Sequence, residues 1–524
     1  MPARRVSRTT LAAAALVAAA AALPAVYLVI RGFEDGILDG LRVLLAPRTL
    51  GLLLRTLLLA TLTAAASIAL GVPLAVLVAR LDVPMRRTLT VLLALPLVVP
   101  SYIAAYALIA FAGPRGILSD VFGMALPSIY GLLGATLVIT LTTYPLVFLA
   151  VRSALLGLDA SLEEASLMLG ATRLETFRRV TWPAVRPAAS AGGLLVALYA
   201  IHDFGAVSLL RYDTFARAIF VAYQGSFDRT RAALYAIALV VLAVGATRLE
   251  IASRTRGSIA RVHGSAPRAS ALHRPAPAGR RLAVAGSLVV VACALVLPFG
   301  VLVYWALRSA RTAVPFSAHI DALRGTITVT LLAAIATVAA AWPIARLAGR
   351  VRGVTSRLVE GVSNIGYALP GVVVALSLVF LTTRLARPLY QTLGLLAVAY
   401  VILFLPQATA AMRTSVEQVP VSREEASRML GAGRFETTRR IVFPLVAPSA
   451  AAAAALVFLT AAKELPATML LSPPGFRTLS MRVYSETASA RFDLAAVPAL
   501  LLLLVSSVPL AVLLTRGRFR EAAS

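Results

Sequence analysis

The chain has a single cysteine, Cys293, only four histidines and one lysine, Lys463, in 524 residues. A lone cysteine inside an apolar run excludes disulfides and thiolate metal clusters. The histidines are scattered, and no His, Cys or carboxylate group has the spacing of a tight metal site, so no metal is assigned. ATP hydrolysis by a P-loop needs a lysine at the end of a Gly-rich loop, where it meets the phosphates. Lys463 is followed by Glu464 in an apolar run and has no such loop around it. The chain is therefore not expected to be an ATPase, and no catalytic residue or bound cofactor is assigned. Charge is sparse too: 14% of residues are charged against 59% hydrophobic, with a mean hydropathy of +0.86, too little polar surface for a soluble globule of this length. The formal charge of +27 does not point to nucleic acid, because the basic residues lie between apolar runs rather than on one solvated face.

What is present is a series of apolar runs of membrane-crossing length. A window of about 19 residues places spans near 11–30, 52–79, 88–112, 129–151, 187–210 and 232–248, then 282–307, 326–346, 360–382, 391–412, 446–470 and 493–515. The segment Leu11 to Ile30 follows Arg4, Arg5 and Arg8, and Ala22-Leu23-Pro24-Ala25 weakly resembles a signal-peptide cleavage site. Its length and the badly placed Pro24 favour a retained first span. Residues 249–281, rich in Arg, Ser, Pro and Ala, read as a flexible cytoplasmic linker between halves 1–248 and 282–524. With the N-terminus inside, roughly 32 of the 50 basic residues fall in cytoplasmic segments. Both termini are then cytoplasmic, and membrane lipid surrounds the bundle. Prolines within the spans, among them Pro73, Pro96, Pro100, Pro145, Pro343, Pro370, Pro406 and Pro498, predict kinks tolerated where neighbouring helices or water satisfy the freed carbonyls.

The decisive feature is a repeat. Glu163-Glu164-Ala165-Ser166 through Gly170 to Pro183 recurs as Glu424-Glu425-Ala426-Ser427 through Gly431 to Pro444, with about 14 of 21 positions identical and no gap. Pro145 and Pro406, Arg152 and Arg413, and Asp203 and Glu464 continue the match, followed less regularly by Thr56 with Thr326 and Pro73 with Pro343. Each half holds an even number of spans, so the copies run parallel. The fold expected is an all-α membrane protein of about twelve transmembrane helices in two six-helix repeats, with cores 50–248 and 320–515. The repeated element is polar yet patterned. Ser161 with Glu164, and Ser422 with Glu425, have capping-box spacing. Gly170 and Gly431 suit a left-handed turn, Thr172 with Glu175 caps a second helix, and Gly433 takes that place in the other half. Pro183 and Pro444 are expected to stop that helix before the next span. A helix, turn, helix knob at the membrane surface is stiff enough to pass a push to the spans.

Glu164-Ala165-Ser166, with Gly170 six residues after its Glu and Pro183 thirteen after the Gly, resembles the cytoplasmic signature of binding-protein-dependent ABC importer permeases; Ser166 and Ser427 are a small-for-small departure. Within that superfamily the chain resembles the fused ferric-iron permeases, with thiamine permeases near. Asp203-Phe204-Gly205-Ala206-Val207, Lys463-Glu464-Leu465-Pro466-Ala467 and Gly475-Phe476-Arg477-Thr478-Leu479 carry that likeness. The resemblance implies an ABC ATPase dimer that holds the ATP. It also implies a periplasmic or lipid-anchored substrate-binding protein, an inner-membrane location, and ATPase coupling through Glu163, Glu164, Ala165, Gly170, Pro183, Glu424, Glu425, Ala426, Gly431 and Pro444.

Charge at membrane depth is costly and marks either a pathway or an internal pair. Asp203, Lys463 and Glu464 are thus candidate translocation residues, the two carboxylates facing each other across the pseudo-two-fold; equally, Lys463 neutralises Glu464 or an adjacent backbone end. An ion-driven six-plus-six carrier shares the parallel halves but has no need of duplicated knobs. A membrane enzyme should show catalytic acids or metal ligands at one face, and the spans are poor in both. The sequence leaves the cargo open among ferric iron, thiamine and other small solutes.

Overall fold

The computed structural model describes residues 8–124, 128–226, 228–258, 273, 276–309, 317–351, 353–364, 366 and 369–521. Among these residues the secondary structure is helical, apart from one isolated bridge between Leu81 and His273. Eleven helices are long and apolar enough to cross a membrane, and Gly371–Leu385 is a shorter apolar helix at a twelfth position. Most of the linker segment lies outside the described residues; helices Arg229–Ser258 and Pro277–Val291 run into it from either side.

Each half is built on the same three-helix core. In the first, Pro47–Arg80, Leu132–Leu156 and Arg173–His202 pack together; in the second, Ser317–Arg350, Leu393–Gln418 and Arg434–Lys463 do so. Lipid supplies no hydrophobic drive between helices, so close backbone approach matters more than side-chain bulk. A Cβ at Gly192 would stand 2.8 Å from the Cα of Val147, and one at Gly71 3.0 Å from the backbone nitrogen of Phe148. Buried threonine hydroxyls at positions 56, 63, 326 and 330 donate to carbonyls on the preceding turn of their own helices, which removes their polarity from the bilayer.

The two spans outside the repeat tie the halves together. Helix Arg8–Gly32 buries Ala14, Ala18, Ala21 and Leu28, spaced to form one helical face. It packs against Ser317–Arg350, Val354–Ser363 and Gly371–Leu385 of the other half, as well as against Arg229–Ser258 of its own. Helix Leu297–Ser309 of the second half lies against Ser101–Ala112 of the first, where Trp305 Nε1 donates to the Ala110 carbonyl at 3.3 Å. Tyr106 Oη donates to the Phe492 carbonyl at 2.7 Å, a second bond between halves.

Four spans differ from the hydropathy reading. The span placed at 88–112 is broken: helix Arg86–Ala94 gives way to a turn over Leu95–Val98, and the crossing helix begins at Ser101 after Pro100. The segment near 360–382 likewise starts its crossing helix at Gly371, after Pro370. Proline lacks an N–H and disfavours the helical region for the residue before it, so each proline becomes the entry point of a new helix. The spans drawn at 187–210 and 446–470 end at His202 and Lys463 and restart as short helices, Gly205–Leu209 and Pro466–Leu471.

Candidate functional site: two surface knobs and two helix breaks

The first knob is helix Ala160–Met168, a turn at Gly170, and the start of helix Arg173–Thr176. Gly170 has φ +85° and its counterpart Gly431 has φ +87°, the left-handed conformation that glycine reaches most cheaply. Thr172 and Glu175 form the expected capping box: Thr172 Oγ1 accepts from the Glu175 amide at 3.3 Å, and Glu175 Oε2 accepts from the Thr172 amide at 2.8 Å. In the second knob Gly433 is the cap and supplies no side chain.

Two local expectations are corrected. The boxes at Ser161 and Ser422 do not open the first helices. Asp159 is the cap of the first knob, its carboxylate accepting from the Ser161 amide at 3.1 Å, and Pro420 opens the second in an extended conformation. Nor do Pro183 and Pro444 stop a helix: residues Arg173–His202 and Arg434–Lys463 run as continuous helices into the fifth span of each half. The missing N–H of each proline is absorbed by one turn of π-helix just before it, Phe177–Thr181 and Thr438–Val442. The outcome is stiffer than a separate helix, because the second arm of each knob is the membrane helix itself.

The adjacent glutamates of each knob divide their work. Glu163 turns inward, accepting from Thr181 Oγ1 at 2.7 Å and pairing with Arg80 Nε at 3.1 Å. Its counterpart Glu424 is buried and lies 2.6 Å from Arg350 and 3.5 Å from Arg346. Arg80 and Arg350 are the last residues of corresponding core helices. Each inward glutamate thus pins its knob to the first core helix of its own half. Glu164, Ala165, Glu425 and Ala426 are exposed. Ser166 and Ser427 bridge to Thr176 and Thr437 at 3.0 and 3.1 Å, tying the two arms of each knob together. At the tips, Met168, Leu169, Met429 and Leu430 are 88–89% exposed, and Phe435 is 79% exposed. Exposed apolar tips of this kind are the sort of surface that marks protein–protein contacts. The anchors Arg80 and Arg350 escaped sequence reasoning; their signal was the charged end of an otherwise apolar span.

Asp203 and Glu464 sit where the fifth spans break. Asp203 Oδ1 accepts from the amides of Ala206 at 2.9 Å and Val207 at 3.3 Å, and Oδ2 accepts from the Ser101 hydroxyl. Glu464 Oε1 accepts from the Ala467 amide at 3.1 Å. Both carboxylates cap the short helix that follows, each within its own half. Ser101 follows Pro100, and the residue following Pro370 is Gly371, where a Cβ would collide with Glu464 Oε1. A shorter acid with a serine in one half is matched by a longer acid with a glycine in the other. Lys463 does not pair with Glu464; its Nζ donates to the Leu97 carbonyl of the opposite half at 3.2 Å. Ser208 and Tyr484 also join the halves there, 2.6 Å apart. No group of three or more His, Cys, Asp or Glu with metal-binding geometry occurs among the described residues.

A doubled six-helix unit with a pinned, apolar-tipped knob in each copy is the architecture of a multi-pass membrane permease. The family model described as "Binding-protein-dependent transport system inner membrane component" matches residues 67–253 and 341–518, and the chain belongs to that family. It is 32% identical over 489 residues to the Fe(3+)-transport system permease protein FbpB 2 of Haemophilus influenzae, covering 93% of this chain and 94% of that protein. It is also 34% identical over 194 residues to a probable molybdenum ABC transporter permease protein of Haloferax volcanii, covering 36% of this chain and 70% of that protein. The match to the sulfate transport system permease protein CysW of Escherichia coli is 32% over 189 residues, 36% of this chain and 65% of that protein.

Proposed function

We propose that this chain is the transmembrane subunit of an ATP-driven ferric-iron importer, receiving its cargo from an external binding protein and driven by a separate ATPase dimer. The observation that carries the reading is the pair of pinned knobs. Two equivalent rigid arms, on the same end of both halves, suit a symmetric motor that pushes both at once. ATP belongs to that motor, and this chain holds no cofactor. The knob end faces the cytoplasm, as do both termini, in keeping with the excess of arginine there. Iron as cargo is supported by the near full-length match to a ferric-iron permease, whereas the molybdenum and sulfate relatives each match 36% of the chain.

Asp203 and Glu464 contribute to the route by fixing where the fifth helix of each half breaks, and Lys463 contributes by fastening the break to the opposite half. The test is uptake into vesicles containing this chain and its ATPase, with iron-loaded binding protein inside the assay. ATP-dependent accumulation is expected, and Gly170→Asp with Gly431→Asp should abolish co-purification of the ATPase. Uptake driven by an ion gradient alone, or ATPase retention by the double variant, would count against the reading.

A further inference from the structure

Between the first span and the first core helix of its half lies a short helix, Ile37–Leu44. Its depth in the membrane follows from its neighbours. Helix Pro47–Arg80 meets the first knob at its last residue, Arg80, and its 34 residues extend about 50 Å, so Pro47 lies at the far end of the bundle. Leu11 to Ile30 is an apolar stretch of the length that fills a hydrocarbon core, and Arg31, Glu34 and Asp35 follow it directly. Ile37 thus stands only a few residues beyond the point where the first span leaves the hydrocarbon.

The helix has three faces. At about 100° per residue, Ile37, Leu38, Leu41 and Leu45 occupy one arc, Asp39 and Arg42 the next, and Gly40, Val43 and Leu44 the remainder. The last arc packs on protein: Gly40 is buried, and a Cβ there would stand 2.6 Å from Phe33 Cδ1 and 3.5 Å from Leu234 Cδ2. Thr230 Oγ1 donates to Asp35 Oδ2 at 2.9 Å, which fastens the entry turn to the same neighbouring helix, Arg229–Ser258. The middle arc suits water: Arg42 Nη1 and Asp39 Oδ1 are 2.8 Å apart, and both side chains are exposed. The apolar arc is left open, with Ile37, Leu38, Leu41 and Leu45 42–72% exposed. Leu50, Leu54, Leu58 and Leu62 are exposed at four-residue spacing on helix Pro47–Arg80, forming a stripe by which a span meets acyl chains, and Leu45 precedes it by five residues.

We propose that helix Ile37–Leu44 is an interfacial anchor, lying in the headgroup layer at the end of the bundle opposite the knobs with Ile37, Leu38, Leu41 and Leu45 against lipid acyl chains. The occupant is lipid because the apolar arc starts where one span leaves the hydrocarbon and ends where the lipid-facing stripe of the next span begins. A helix with an apolar face and a charged edge is held at such a boundary by burial of the first and hydration of the second. The anchor also bears on the contact between halves. The turn that leads into it holds Glu34, which pairs with Arg384 of the second half, so the bilayer surface sets the depth of that contact.

The test uses the full chain in phosphatidylcholine nanodiscs, with the exposed native thiol removed by Cys293→Ala. Single cysteines are introduced by Leu38→Cys, Leu41→Cys or Leu45→Cys and, for comparison, by Asp39→Cys or Arg42→Cys, and each is given a nitroxide label. Power-saturation spectroscopy then reads collisions with oxygen, which concentrates in lipid, and with a water-soluble nickel chelate. The expected result is a loss of nickel access and a gain of oxygen access at 38, 41 and 45 relative to 39 and 42, so that accessibility follows the helical period. Equal nickel access at all five positions would overturn the anchor in favour of a helix standing in water. Immobile labels at 38, 41 and 45, shielded from both probes, would overturn it in favour of a protein partner. All five side chains are exposed, so a variant that failed to assemble would remove one position and leave the comparison intact.

Discussion

The carboxylate of Glu424 lies 2.6 Å from the guanidinium of Arg350, which joins the second knob directly to the end of a core membrane helix. Glu163 and Arg80 make the corresponding link in the first half at 3.1 Å. A knob fastened at its root and continuous with the fifth span at its other arm has little freedom to absorb a push. The two roots differ in strength. Glu424 is buried among Arg346, Arg350 and Arg428, whereas Glu163, which meets Arg80 and Thr181, is partly exposed.

Glu424→Gln should therefore loosen its knob more than Glu163→Gln loosens the other. Removing the charge of the buried Glu424 from beside its half-buried arginines costs up to about 3–5 kcal/mol, and the more exposed pair less. Hydrogen exchange should accelerate at residues 421–437 in the first variant by a larger factor than at residues 160–176 in the second. Equal acceleration would contradict the assignment of unequal roots.

The turns at Gly170 and Gly431 are set by backbone conformation alone, since a Cβ at either would meet nothing within 4 Å. Replacements should rank by their tolerance of positive φ. Gly431→Asn should cost well under the roughly 1–2 kcal/mol expected for an ordinary side chain, and Gly431→Val at least that much. Thermal unfolding of the purified variants checks the order; Asn and Val equally harmful would indicate a steric cause instead.

The serine and glycine that accompany buried Asp203 and half-buried Glu464 are interchangeable only as sets. Gly371→Ser should displace Glu464 and destabilise by about 1–3 kcal/mol through overpacking. Adding Glu464→Asp should recover much of that loss, because the pair then copies Ser101 with Asp203. A double variant no better than the sum of the single changes would refute the correspondence.

Glu34 joins the halves away from the knobs, accepting from Arg384 of the second half and from Arg31. Arg384 first, then Arg31, holds the Glu34 carboxyl below the usual range. Its contribution is then present at neutral pH and is lost as pH falls through the lowered folded-state value. The melting-temperature advantage of the unaltered protein over Glu34→Gln should persist near neutrality and shrink in acid. An advantage that grows on acidification would have the wrong sign.

Much of this architecture was legible from residues 163–183 and 424–444, because duplication against an apolar background is a strong signal. The positive-φ glycines and the Thr172 cap followed from local rules. The helix breaks at 203 and 464 did not, since apolar residues continue past both and hydropathy has no term for a carboxylate turning back on its own amides. The continuity through Pro183 was hidden because a π-turn satisfies the backbone in a way that proline rules do not anticipate. Arg80 and Arg350 lie about 80 residues from the acids they bind, beyond any local pattern. The crossing of helix Arg8–Gly32 onto the other half was equally remote, as its apolar face fits any apolar partner.

Photo-crosslinking from the knob tips tests the central claim most directly. With a photoreactive residue at Leu169 or Leu430 in the assembled transporter, the account predicts an adduct to the ATPase from both positions and none from Arg48 at the opposite end. Adducts from Arg48, or from neither tip, would contradict it.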